Sequence, residues 1–187
     1  MQLIDIGANL THSSFRHDLQ DVLDDATAAG VSTIVVTGAS DEGNRDAQQL
    51  VQQYPGLLYA TAGVHPHHAG EYTDASDGLI RELVASNSVV AVGECGLDYC
   101  RNYSPHPAQR RVFERQLTIA AENDMPVFMH LRDAFDEFVA IVKDYRADLP
   151  AAVAHCFTGT EEELEGLLDM DMHIGITGWI CDERRGH

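Results

Sequence analysis

The chain has 187 residues, is 44% hydrophobic, and carries a net charge of −18 from 30 acidic against 12 basic side chains. That length can bury one well-formed core. So acidic a surface repels phosphates and opposes non-specific binding to nucleic acid, so any nucleic-acid role must rest on local cations or a bound metal. The N-terminus, Met1-Gln2-Leu3-Ile4-Asp5, has no charged leader and no long apolar segment. No signal peptide or membrane span is expected, and the location is read as cytoplasmic. Cys95, Cys100, Cys156 and Cys181 form no CxxC pair. Small buried thiols in a reducing compartment are the plain reading, although Cys95 and Cys156 each neighbour a candidate metal ligand.

In chain order, Leu3 to Leu10 begins as a strand and breaks at Gly7. Ser13 or Ser14 then caps a helix with Phe15, Leu19, Val22, Leu23 and Ala26 on one face and Gly30 as its stop. Thr33–Thr37 reads as a second strand. A polar helix follows from Asp41 to Tyr54, halted by Pro55. Leu57–Val64 is a third strand leading into His65-Pro66-His67-His68, and Asp77–Ser86 a short helix.

The central stretch is Val89-Val90-Ala91-Val92-Gly93-Glu94, an apolar run of the kind buried on both faces of a parallel sheet. It is expected to end at Glu94, with the flanking glycines turning the backbone away, and Leu97–Pro107 reads as irregular. Ala108–Asn123 is an amphipathic helix. A fifth strand ends at His130 and is followed by a helix bearing Phe135, Phe138, Val139 and Val142. A sixth strand ends at His155, Thr160 and Glu163 form a capping box, and Met172–Thr177 is a seventh strand.

Three successive strands thus end in Glu94, His130 and His155. Singly, each is more simply a solvated or structural group. In register, one carboxylate and two imidazoles can converge on a divalent metal.

Strand–helix steps recurring every ~20–40 residues indicate βα units. No linker or shift in composition divides residues 1–187, which read as one domain. No phosphate-binding GxGxxG or GxxxxGK[ST] follows the first strand, and functional-looking residues end strands one, three, four, five and six. A closed barrel brings all those ends to one rim, whereas an open doubly wound sheet does not. The fold class is therefore read as a TIM (β/α)₈ barrel lacking its final strand–helix unit, since such barrels take ~250 residues.

At Gly-Val-His-Pro-His (63–67), Gly-Glu-Cys-Gly-Leu-Asp (93–98), Phe-Met-His-Leu-Arg-Asp (128–133) and His-Cys-Phe-Thr-Gly (155–159), the sequence resembles the TatD family, metal-dependent deoxyribonucleases related to the amidohydrolases. The resemblance runs the length of the chain. It implies that Glu94, His130 and His155 hold a divalent metal, Mg²⁺ foremost with Mn²⁺ or Zn²⁺ as alternatives. It also implies 3′-to-5′ exonuclease activity on single-stranded DNA and RNA, with a place in DNA repair. No membrane and no obligate protein partner is implied. Two departures stand out. Many members open with Asp-x-His-x-His, where this chain has Gly7 and Asn9, and the family's last-strand Thr-Asp-Ala-Pro-like motif is absent, as in a product shortened at its C-terminus.

Beside Glu94, His65 is a candidate to contact a substrate phosphate or move a proton, the alternative being a structural hydrogen bond. Arg132 is a candidate phosphate donor, the alternative being an ion pair with Asp133 or Asp136. His67 and His68 read as solvated loop residues and Asp98 as a brace for the loop behind Glu94. Tyr99 and Tyr103 read as base-stacking or packing groups, and Trp179 as packing. Arg184 and Arg185 read as a backbone grip or a solvated pair. The rival readings are a hydrolase of small phosphoesters or amides using the same site, and an inactive remnant.

Overall fold

In a computed structural model, residues 2–181 are described. Seven parallel strands alternate with six α-helices: β1 Leu3–Ala8, α1 Leu19–Ala28, β2 Val31–Val36, α2 Asp41–Gln53, β3 Leu58–Ala62, α3 Asp74–Val84, β4 Val89–Asp98, α4 His106–Glu122, β5 Val127–Arg132, α5 Phe135–Tyr145, β6 Ala152–His155, α6 Glu161–Asp169 and β7 His173–Ile174. The strands form one sheet in sequence order from β1 to β7. Residues from β1 (Ile6), β2 (Val35), β4 (Val90), β5 (Phe128), β6 (Val153) and β7 (His173) line one apolar hollow of ≈ 260 Å³, so the sheet curls around a common interior. This is the expected barrel topology with seven strands among the described residues. No helix among them is long and apolar enough to cross a membrane.

The core lies mainly between the sheet and its outer helices. Helix α4 carries Val112, Phe113, Leu117 and Ile119 fully inside, each contributing about 1.5–3 kcal/mol by burial. Phe113 stacks on Phe138 of α5 with ring centroids 5.3 Å apart, joining two neighbouring helices. Asp77 of α3 accepts hydrogen bonds from Arg81 of its own helix and from Arg115 of α4.

Several element boundaries differ from those read in the sequence. Ser13–Phe15 is a 3₁₀ turn capped by the His12 ring, and α1 starts only at Leu19. A serine there satisfies a local turn without opening a longer helix. Strand β7 contracts to His173–Ile174. The capping box of Thr160 and Glu163 forms at the start of α6 as expected.

The largest correction concerns β4, which does not end at Glu94 but runs on to Asp98, pairing Gly96 with His130 and Asp98 with Arg132 after a register shift between Gly93 and Cys95. The glycines permit close approach where a turn was expected. Gly93 and Gly96 have φ of +147° and +138°, and an added Cβ would lie 2.1 Å from Phe128 O and 2.0 Å from His130 O, respectively.

Candidate metal centre

The register of β4, β5 and β6 builds the site. Side chains two apart on a strand share a face, so Glu94 and Asp98 point the same way with Gly96 between them. His130 pairs with Gly96 on one side and His155 on the other. The His130 ring therefore sits between the two carboxylates, with Nδ1 3.1 Å from Glu94 Oε1 and Nε2 3.2 Å from Asp98 Oδ2. His65, in the loop after β3, brings Nε2 to 3.6 Å from Glu94 Oε1, and His155 brings its Nε2 to 3.7 Å from the same oxygen. Three imidazoles thus crowd a single carboxylate oxygen in a residue only 8% exposed.

Glu94 is pushed toward the neutral acid by burial, but the His130 hydrogen bond and the surrounding imidazoles outweigh that and hold its carboxyl below the usual range. His65 is driven down to about 3, chiefly by burial, with Glu94 acting in the opposite direction. Burial likewise lowers His155, again against the pull of Glu94. Both rings are neutral near neutral pH, the form in which an imidazole can ligate a metal.

The rings differ in what their nitrogens can offer. His65 Nδ1 accepts the backbone N–H of His67 at 3.1 Å, so the proton of the neutral ring resides on Nε2. The atom His65 turns toward Glu94 is therefore a donor. His130 has a carboxylate at each ring nitrogen, Glu94 at Nδ1 and Asp98 at Nε2, and a neutral ring has one proton to donate to the two of them. With that proton on Nε2, Nδ1 would be free to ligate, and the donor set then fits a divalent ion. Atoms of His65, Glu94 and His130 lie within 4.8 Å of one another, but with Nδ1 of His65 occupied by the His67 N–H and its proton on Nε2 that ring has no free lone pair, and His155, just beyond the group and still against Glu94, can offer the third ligand atom instead. At Gly7 an added Cβ would sit 2.7 Å from the Phe128 ring and 3.7 Å from His155 Nδ1.

The site is held from behind by three buried amides that sequence reasoning passed over. Asn44 of α2 bonds both the N–H and the C=O of Gly63. Gln116 of α4 does the same for Val64, and Gln109 for Asp98. Gln109 and Gln116 are seven apart, two turns along one helix face. The available signal was two polar residues on an otherwise apolar stripe.

His67 was read as solvated, but it donates Nε2–H to Asp98 Oδ2 at 2.7 Å, which a burial-shy loop residue could do only because β4 runs on past Glu94. His68 remains at the surface near Glu71. Arg132 is 3.6 Å from Asp133, as the structural alternative had it. It also donates to Thr158 at 2.9 Å, along a cleft of ≈ 310 Å³ between the loops after β5 and β6. Tyr99 is engaged, stacked on His106 and bonded to Glu137. Tyr103 is 69% exposed and meets the His67 ring edge-on. Cys95 is fully buried, and burial pushes its thiol up. Arg184 and Arg185 lie outside the described residues.

Fold and site together define a TIM-barrel-type protein with a carboxylate–imidazole cluster suited to a divalent metal at the carboxyl ends of its strands. The family described as "TatD related DNase" matches residues 4–187. A Pantoea sp. (strain At-9b) protein named 3′-5′ ssDNA/RNA exonuclease TatD is 49% identical over 184 residues, which cover 98% of this chain and 71% of that protein. A protein of the same name from Escherichia fergusonii is 48% identical, with 98% and 70% covered. The crystal structure of a TatD homologue from Escherichia coli k12 superposes with a TM-score of 0.89 at 29% identity, over 97% of this chain and 70% of that one. The chain belongs to the TatD-related DNase family.

Proposed function

We propose that the chain is a metal-dependent 3′-to-5′ exonuclease that hydrolyses phosphodiesters of single-stranded DNA and RNA. The observation that carries this reading is the convergence of His130 Nδ1, His155 Nε2 and His65 Nε2 on one oxygen of Glu94. The relatives' names supply the substrate class. Glu94, His130 and His155 are the proposed ligands, and Mg²⁺ the proposed ion on the family resemblance. The imidazole nitrogens suit Mn²⁺ and Zn²⁺ as well.

A divalent ion held there acidifies a water and neutralises charge on the phosphoryl oxygens. The protein's own groups then divide the work. Glu94 contributes negative charge and a second oxygen. His65, neutral and protonated on Nε2, is a hydrogen-bond donor aimed at the cluster, suited to a phosphate oxygen rather than to an ion. Arg132, along the neighbouring cleft, offers a guanidinium to the next phosphate. It supplies locally the cation that the overall charge of −18 withholds.

The test is a single-stranded oligonucleotide labelled at its 5′ end and incubated with Mg²⁺. Stepwise shortening from the 3′ end, abolished by EDTA, is expected. Equal hydrolysis of a small chromogenic phosphodiester and the oligonucleotide would instead assign a small-ester hydrolase.

A further inference from the structure

The cleft of ≈ 310 Å³ between the loops after β5 and β6 is built from side chains that the metal cluster leaves unused. Its walls include Arg132, Phe157, Thr158 and Gly159. Its position follows from the strands. Arg132 stands two residues past His130 on β5, so both side chains leave the same face of the strand, about 6–7 Å apart along it. Phe157 stands two residues past His155, but β6 stops at His155 and the backbone turns at Cys156, with a φ of +51°. The cleft therefore adjoins the cluster along the rim of the sheet.

Both recognition groups in the cleft are held in place by the protein itself. The backbone N–H of Phe157 donates to Gly175 O at 3.0 Å, tying its loop to the segment after β7. The ring is half-buried, packed on one side against the core. Gly159 also lies close against it, since a Cβ added there would sit 2.9 Å from two ring atoms. Arg132 donates to Thr158 Oγ1 at 2.9 Å, and its Nε lies 3.6 Å from Asp133. A partly exposed aromatic ring and a guanidinium thus share one cleft.

That pairing is the one that holds single-stranded nucleic acid. The cation takes a phosphate and the ring takes a base. Stacking tolerates any sequence because every base has a π-face. It favours single strands, because the bases of a duplex are already covered by their neighbours. It is also an attraction that the net charge of −18 does not oppose.

We propose that Phe157 is a substrate-binding residue on which the base of the penultimate nucleotide stacks. This deepens the function proposed above and rests on it. With the scissile phosphate at the Glu94 cluster and the next phosphate on Arg132, the nucleotide between them is the penultimate one of the 3′ end. Its base is the one that meets Phe157.

The experiment measures fluorescence anisotropy of a 5′-labelled single-stranded oligonucleotide titrated with the full chain. Salt is low, Ca²⁺ replaces Mg²⁺, and strand length is checked on a gel afterwards. Three strands are compared: intact, abasic at the penultimate position, and abasic far from the 3′ end. Removing the penultimate base is expected to weaken wild-type binding at least about 5-fold, and removing the distant base to leave it unchanged. Phe157→Leu keeps an apolar side chain of similar size and loses the π-face. It is expected to bind the intact strand as weakly as the wild type binds the penultimate-abasic one, and to lose nothing further with that strand. Phe157→Tyr is expected to keep wild-type affinities. Equal wild-type affinity for the intact and penultimate-abasic strands overturns the proposal, and that comparison needs no variant to fold. A loss in Phe157→Leu that is the same for both strands also overturns it, as does absence of wild-type binding. Failure of the wild type to shorten the intact strand with Mg²⁺ overturns the exonuclease reading alone, and the base dependence of binding still judges Phe157.

Discussion

The strands that carry the site and the strands at the sheet's margins are built to different standards. From Val92 to Asp98, β4 is buried at every residue, and the backbone at the carboxyl ends of β3 and β4 is gripped by Asn44, Gln109 and Gln116. At one margin, β1 leaves Leu3, Ile4 and Ile6 at the surface, with Ile4 61% exposed. At the other, β7 is only two residues long, and Ile176 beyond it is exposed. Close packing and complete hydrogen bonding are concentrated where three imidazoles must meet one carboxylate oxygen. Precision of that order comes from rigid elements whose rotamers and backbone are locked from behind.

The contrast can be broken at its strong side first. Gly96→Ala places a methyl carbon 2.0 Å from His130 O at a φ of +138° and is expected to cost about 3–5 kcal/mol in urea unfolding. The same change at Gly178, which has nothing within 4 Å, is expected to cost less than about 1 kcal/mol. Gln116→Leu leaves the buried N–H and C=O of Val64 unpaired, a loss of about 2–4 kcal/mol by the same measurement. It should also reduce nuclease rate, since Val64 precedes His65.

Asp77→Asn tests the packing of α3 on α4 and is expected to cost about 1–2 kcal/mol at pH 7. Burial raises the Asp77 carboxyl, but Arg81, Arg115 and Tyr72 outweigh it and depress its folded pKa. The unfolded chain therefore takes up the proton first. The contribution is fully present above the unfolded value of about 3.9 and is lost as pH falls from there through the depressed folded value. The stability difference between wild type and Asp77→Asn should close over that acid range. The smallest effect belongs to the margin, where Ile4→Thr is expected to shift stability by no more than about 0.5 kcal/mol.

Much of this was legible in the chain. Apolar runs leading to Glu94, His130 and His155 named three residues that the structure does bring together, although β4 runs on to Asp98 and β5 to Arg132 and only β6 ends where expected, and the Gly-Val-His-Pro-His stretch put His65 beside them. Alternation of strands and helices left a barrel or an open sheet, and the functional-looking residues ending several strands decided for the barrel. Long-range partnerships were hidden. His67 read as a solvated loop residue because its partner Asp98 lies 31 positions away. Gly93 and Gly96 read as strand breakers because glycine usually weakens a strand, whereas here each makes room for a carbonyl of β5. Ser13 and Ser14 gave a capping signal at short range that a 3₁₀ turn absorbed, delaying α1 to Leu19. Asn44, Gln109 and Gln116 were missed because a buried amide declares itself only through the backbone it serves.

The central claim is that the ion sits with Glu94, His130 Nδ1 and His155 Nε2, while His65 faces it as a donor. Crystals soaked in Mn²⁺, with an anomalous map recorded at the manganese edge, test this most directly. The account predicts one peak at bonding distance from those three groups, about 2.0–2.3 Å, with His65 Nε2 outside that shell. A peak bonded to His65, or no peak against Glu94, would contradict it.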